Sequence, residues 1–376
     1  MKVILAKKII LENEILEGYG LYIKEGRIES IVPQDAIDLS IVEQIPLKAD
    51  YLLPGFIDIH IHGSAGSDVM DATPEALNAI QKSLVTTGTT SFLGTTMTVD
   101  FNNIERALEQ IRLAMSHKEI IGAKLIGAHL EGPFINAKAK GAHLENHIKL
   151  PEIEAIKTYA DVIKLITIAP EMDVSNQFIK SARALGIHIS LGHSTCSYDC
   201  AKAAIEAGAE SITHLFNAMT GLHHRDPGLV GAAFLTDVYT ELIADNVHVH
   251  PDLYELVYKL KGSERMILIT DAMKGQCMKA GQYDLGGQTV VVGDKDARLE
   301  NGVLAGSILT QNKSLKHMIR TKGLDIVKVS RMLSVNPAQL LGLTDIGSIQ
   351  SGSKADFVAL DSHYDLLGTV VEGKLF

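Results

Sequence analysis

The sequence predicts an α/β fold, a (β/α)8 TIM-like barrel carrying a small β-structure assembled from both chain ends. Three observations predict it. Between residues 51 and 342, apolar β-rich runs alternate with helical periods. Strands that are apolar on nearly every residue belong to parallel sheets covered by helices. Residues 1–50 and 343–376 instead show short alternating runs, and neither end has enough apolar residues for its own core. Eight strand candidates over roughly 290 residues match a barrel of about 250 residues with insertions. An open doubly wound sheet is the competing arrangement. It lacks its fingerprint, because "HGSAGSD" after the first strand is not G-x-G-x-x-G.

The elements follow in order. "KVILAKKIIL" and "GLYIKEGRIESIV" are half-buried strands, with a hairpin turn at "KEGR" around Gly26. The barrel strands are "LLPGFIDIHIH", "TTSFLGTTMT", "AKLIGAHLEG", "VIKLITIAP", "IHISLGHS", "SITHLFNA", "TELIADNVHV" and "MILITDAM". Between them, helices are expected in "PEALNAIQKSLVTTG", "FNNIERALEQIRLAM", "SNQFIKSARALG", "SYDCAKAAIEAG" and "HPDLYELVYKL". Several end in a glycine just past the last periodic residue, a common C-terminal signal. "GQYDLGGQTVVVGDKDARLENGVLAGS" is expected to be a β-hairpin insertion after strand eight. "GSIQSGSKADFVALD" and "TVVEGKLF" return to the character of the first fifty residues, so the two ends are expected to pair.

Composition narrows the function. Net charge is −10, which disfavours non-specific binding to nucleic acid or anionic membranes. No apolar run reaches the roughly 20 residues that span a bilayer. "MKVILAKKII" returns to lysine too early for a signal peptide. Cys196, Cys200 and Cys277 are few and odd in number, so free thiols in a reducing cytoplasm are expected.

Polar residues recur where the strands end. Strand one ends in His60 and His62, and strand three in His129 and Glu131. Strand five ends at His193, strand six at His214, strand seven at His248 and His250, and strand eight at Asp271. The C-terminal ends of a parallel barrel converge on one face, where barrel enzymes do their chemistry. Residues at i, i+2 share a strand face, so His60 and His62 can grip one ion together. A lone histidine at a strand end is usually a satisfied polar group. Five such strands with His, Glu, His, His and Asp predict a site for zinc or another first-row divalent ion. His129 and His250 stay open between supporting and core roles. His117, His188 and His363 lack this placement and are expected to be structural or solvent-facing.

With these motifs in place, the sequence resembles the amidohydrolase superfamily, and within it the N-acetylglucosamine-6-phosphate deacetylase family. "PGFIDIHIHG", "GAHLEGPFIN", "KGAH", "LGHS", "THLFNAM", "HHRDPGLVG", "IADNVHV", "ITDAM" and "AGSILT" carry the resemblance along essentially the whole chain. H-x-H and the last Asp specify the superfamily; "HLEGPF", "THLFNAM" and "HRDPG" are more specific. The resemblance implies a small β-sandwich domain of residues 1–50 with 343–376, beside a barrel domain of residues 51–342. It implies a principal metal site of Glu131, His193 and His214, and a second ion on His60 and His62 bridged by Glu131. One or two ions are therefore expected, zinc first, with iron as an alternative. Many relatives use a carboxylated lysine on strand four, but Lys164 sits early in that strand and is expected to be structural.

Amide hydrolysis needs an activated water, a polarised carbonyl and a proton for the leaving nitrogen. Asp271 is the natural general base. The resemblance assigns His143 to the substrate carbonyl, and Asn217, Ala218 and His248 to the sugar phosphate. It assigns Arg225 to the phosphate of a neighbouring subunit, implying a homodimer; guanidinium suits that two-pronged grip. The expected reaction gives glucosamine 6-phosphate and acetate. Rivals are a galactosamine-phosphate deacetylase, a cyclic-amide hydrolase and a non-catalytic barrel scaffold. A strand-four lysine at the active end would favour the ring openers, and a scaffold would lose metal ligands.

Overall fold

A computed structural model describes residues 1–376. Strands one to eight of the barrel are Phe56–Ile61, Thr89–Thr95, Lys124–Glu131, Ile163–Ile168, His188–Leu191, Ser211–Ile212, Tyr239–Ile243 and Met266–Ile269. They pair in parallel in sequence order. Strands eight and one close the ring at the C-terminal end. There the Asp271 amide donates to the His60 carbonyl at 2.8 Å and the His62 amide to that of Ala272 at 2.9 Å. Closure thus falls beside the residues picked out by the sequence.

Helices cover the outside of the ring. Pro74–Leu84, Phe101–Ser116 and Tyr198–Glu206 begin at Thr73, Asp100 and Ser197, whose side chains accept from the first turn. Two further expected helices form at Gln177–Ala184 and Asp252–Lys261. Helix Gly228–Leu235, "GLVGAAFL", was not expected. It is apolar all round, so it carries no amphipathic period to reveal it. Lys261 closes its end, donating to the carbonyls of Ala233 at 2.7 Å and Thr236 at 2.8 Å. Burial pulls the pKa of that lysine down to about 8.

Both chain ends enter one antiparallel-dominated sheet. Its order runs from Lys374–Leu375 through Leu366–Val371, Phe357–Leu360, Ala49–Pro54, Lys2–Ile10 and Tyr19–Lys24 to Arg27–Pro33. The turn at Glu25 and Gly26 has positive φ at both residues, 51° and 75°. Ile4, Leu21, Ile28, Leu52, Phe357 and Val370 share one buried cluster. Ala49–Pro54 leads directly into strand one through Gly55. A Cβ there would lie 2.1 Å from the Thr90 hydroxyl oxygen, so the crossing from sheet to barrel requires glycine.

The insertion after strand eight is a three-stranded sheet, Gly281–Leu285, Gln288–Val292 and Ala297–Leu299, rather than a simple hairpin. Leu285, Val290, Val292 and Ala297 pack with Met97 and Met273, which holds the insertion against the barrel mouth. No helix is long and apolar enough to cross a membrane.

Candidate active site

Glu131, the last residue of strand three, is the centre of the site. Its Oε1 lies 3.3 Å from His60 Nε2, 3.1 Å from His193 Nε2 and 3.2 Å from His214 Nε2. Its Oε2 lies 3.2 Å from His62 Nε2 and 3.4 Å from His143 Nε2. Asp271 Oδ1 reaches His62 Nε2 at 3.3 Å and His60 Nε2 at 3.6 Å. All of these residues are buried. The strand ends bring them together: His60 lies inside strand one, while His62, His193, His214 and Asp271 fall one or two residues past their strands. His193, His214 and Asp271 hold φ of 47°, 28° and 50°. A left-handed backbone at a non-glycine residue is costly and gathers at working sites.

Hydrogen-bond partners fix the ring tautomers. His60 Nδ1 donates to Glu241 Oε2 at 3.0 Å, and His193 Nδ1 donates to the Ala139 carbonyl at 2.9 Å. Neutral rings so held turn their Nε2 lone pairs toward Glu131. His193 Nε2 and His214 Nε2 face each other at 3.0 Å, and His60 Nε2 is buried without a hydrogen-bond partner. Lone pairs and carboxylate oxygens crowded this closely repel unless a cation lies among them. His60, His62 and Glu131 place ligand atoms within 4.8 Å of one another, as do Glu131, His143 and His193. A nitrogen and carboxylate donor set of this kind fits zinc or a related ion.

His143 differs from the others. Its Nδ1 accepts from the Thr98 amide at 3.1 Å, so the neutral ring carries its proton on Nε2. Burial pushes its pKa down to about 4. It faces the site as a neutral donor rather than as a ligand.

The charges report the same demand for a cation. Burial opposes a charged His62, yet hydrogen bonds and charges from Asp271 and Glu131 lift its pKa to about 9. His60 is likewise held well above its ordinary value, against burial, by Glu131 and Asp271. Burial raises the pKa of Glu131, but His60 and the hydrogen bond from His143 are among the contacts that outweigh it and hold it well below its ordinary value. Protons and a divalent ion compete for such a site.

A cavity of about 500 Å³ opens over this cluster. Asn217, Ala218 and His248 line it beside Asp271 and His143. His248 Nδ1 donates to Asp245 Oδ2 at 2.6 Å. Arg225 does not line the cavity of its own chain. It is exposed, with Nη1 2.7 Å from His224 Nε2. His250 is also exposed and faces Asp252. His129 stands behind the cluster: its Nε2 meets the Thr167 hydroxyl at 2.7 Å, and its ring lies edge-on to His60 at 4.5 Å. Lys164 points outward and donates to the Asp161 carbonyl.

The sequence reading missed four contributors. Glu241 and Asp58 are fully buried within strands seven and one. Asp58 accepts from the Thr270 hydroxyl at 2.6 Å and from the His60 amide at 3.3 Å. A carboxylate inside an expected barrel strand was the available signal for both. Lys138 and Arg298 add positive charge to the cavity wall. They come from a loop and from the insertion, where sequence offers no periodicity to aim a side chain.

Fold and site together define a class: parallel (β/α)8 barrels that gather histidines and carboxylates at their strand ends for hydrolysis. The model of the Amidohydrolase family matches residues 51–375, and the chain belongs to that family. The chain is 40% identical over 364 residues to the N-acetylglucosamine-6-phosphate deacetylase of Lysinibacillus sphaericus, covering 96% of this chain and 93% of the relative. The crystal structure of N-acetylglucosamine-6-phosphate deacetylase from Pasteurella multocida superposes with a TM-score of 0.94 at 31% identity, covering 100% and 99% of the two chains. A mutant of the Mycobacterium smegmatis enzyme, in complex with N-acetyl-D-glucosamine-6-phosphate, superposes with a TM-score of 0.92 at 28% identity, covering 100% and 98%.

Proposed function

We propose that this chain is a divalent-metal-dependent deacetylase. It hydrolyses N-acetylglucosamine 6-phosphate to glucosamine 6-phosphate and acetate, in amino-sugar catabolism and recycling. The observation that carries the chemistry is the set of ring nitrogens converging on Glu131 beside Asp271, at the floor of a 500 Å³ cavity. Likeness to deacetylases of that substrate supports its identity.

Glu131, His193 and His214 would hold the principal ion, and His60 with His62 a second one sharing Glu131. Zinc suits this donor set best. When bound, the ion supplies Lewis acidity, easing deprotonation of water and polarising the acetyl carbonyl. Asp271 takes the proton from the attacking water as the new C–O bond forms. His143 donates its Nε2 proton in a hydrogen bond to the developing oxyanion. Asp271 then returns the proton to the nitrogen as the C–N bond breaks, so amine and acetate leave balanced. Asn217, the Ala218 backbone and His248 hold the sugar phosphate.

Arg225 is assigned to the phosphate in the neighbouring subunit of a homodimer. Its exposure and its place off its own cavity support that reading. Leu222, three residues before Arg225, is exposed as well. The proposed units are residues 1–50 with 343–376, and residues 51–342. The negative net charge and few free cysteines support a cytoplasmic location.

The test is acetate release, with metal analysis of the same sample. Activity is expected on N-acetylglucosamine 6-phosphate, less on the galactosamine isomer, and little on the unphosphorylated sugar. Chelation should abolish it and zinc restore it. Full turnover in rigorously metal-free protein would sink the proposal.

A further inference from the structure

Glu241 is a buried carboxylate that the mechanism above does not use. It lies in strand seven, fully buried. Its Oε2 accepts from His60 Nδ1 at 3.0 Å and from the His214 amide at 3.2 Å. Its Oε1 has no hydrogen-bond partner at all. One oxygen therefore serves strands one and six together, and the other is left bare. A buried carboxylate so incompletely satisfied is a poor device for stability, since an apolar side chain of similar volume would pack there at less cost.

Its geometry has a chemical consequence. An ionised carboxylate can only accept, so His60 must carry its proton on Nδ1. Its Nε2 then presents a lone pair toward Glu131, 3.3 Å away. Without that acceptor the ring could place its proton on Nε2 and turn an N–H toward the bridging carboxylate. His60 would then be a hydrogen-bond donor and no ligand. The same oxygen also steadies the backbone at His214, whose φ of 28° is strained.

We propose that Glu241 is a positioning residue that makes His60 competent as a metal ligand and so decides whether the strand-one half of the site holds an ion. The inference rests on the metal-site reading above. Partners of this kind typically change metal affinity by about 10- to 100-fold when removed.

The test titrates metal-free protein with Co²⁺, following the visible absorption of the bound ion and stoichiometry by metal analysis. The normal protein should take two ions per chain. Glu241→Gln keeps an acceptor but loses the charge, and should weaken the second ion by about 10-fold. Glu241→Met removes the acceptor and should weaken it by about 100-fold, matching His62→Asn, while the first ion stays bound. Thr240→Val alters the neighbouring buried position, whose hydroxyl is unpartnered, and should leave both ions in place.

Two ions bound with normal affinity by both Glu241 variants would overturn the proposal. So would equal loss in Thr240→Val, which would make the effect one of barrel packing. If Glu241→Met fails to fold, Glu241→Gln decides alone. A normal protein that binds one ion and is fully active would also end this inference, while leaving the deacetylase reading intact.

Discussion

The barrel mouth and the terminal sheet both bury their residues, but to opposite ends. In the terminal sheet the buried set is Ile4, Leu21, Ile28, Leu52, Phe357, Val370 and their apolar neighbours. At the barrel mouth His60, His62, Glu131, His143, His193, His214, Glu241 and Asp271 are all buried. Apolar burial stabilises whatever chain encloses it. Ionisable burial costs free energy unless partners or an ion offset it. The terminal sheet should therefore set stability with little say in chemistry, and the mouth should set chemistry with little gain in stability.

The strongest test of that division is Asp271→Asn. The amide cannot accept a proton, so turnover should fall by about 10²- to 10⁴-fold. Folding and metal content should be unchanged, as judged by thermal unfolding and metal analysis. Near-normal turnover would place the base elsewhere. The converse is Phe357→Ala in the terminal sheet. Phe357 is fully buried, and such truncations cost about 3–5 kcal/mol. Denaturant unfolding should show that loss, while turnover per folded, metal-loaded molecule stays normal. A large drop in turnover per folded molecule would mean that the two regions are coupled.

The division also explains what could be read from the sequence. The barrel was legible because parallel strands buried on both faces form apolar runs, and because a histidine or carboxylate at the end of a run stands out. His60, Glu131, His193, His214 and Asp271 all gave that signal. Helix Gly228–Leu235 gave none, since an all-apolar segment has no periodicity to separate helix from strand. Arg298 reaches the cavity from an insertion whose path depends on packing against Met97 and Met273. The tautomers set by Glu241, Ala139 and Thr98 are tertiary facts, and spacing along the chain cannot report them.

Asp356 is an exception within the terminal sheet and sharpens the comparison. It is buried, accepts from the Glu372 amide at 2.7 Å, and has Oδ2 unpartnered. Burial raises its pKa from 3.8 to about 6. Between roughly pH 4 and 6 the unfolded chain has lost this proton while the folded protein keeps it. The folded state then binds more protons, so this group's contribution to stability falls as pH rises through that window. About two pKa units correspond to at most about 3 kcal/mol. Asp356→Asn removes the titration, so its stability should lose less than the normal protein's between those pH values. Parallel stability–pH curves from urea unfolding would show that Asp356 titrates alike in both states.

The smallest expected effect asks whether one barrel mouth is a complete site. Arg225 lies outside its own cavity, so its contribution to phosphate binding should come from the partner subunit. Arg225→Ala should raise KM for N-acetylglucosamine 6-phosphate by about 10- to 150-fold, the loss of one charge-assisted contact at about 1.5–3 kcal/mol. The slow reaction of the unphosphorylated sugar should barely change. Mixing this variant with Asp271→Asn then separates the two arrangements. In a mixed dimer, the site that keeps Asp271 belongs to the Arg225→Ala chain, and it can receive an intact arginine from the Asp271→Asn chain. That site is whole, so substrate-limited activity should recover toward one normal site per dimer after subunit exchange. If mixed dimers form and no activity returns, Arg225 serves its own chain or no site at all. In the second case Lys138 and Arg298 on the cavity wall are the cations left to hold the phosphate.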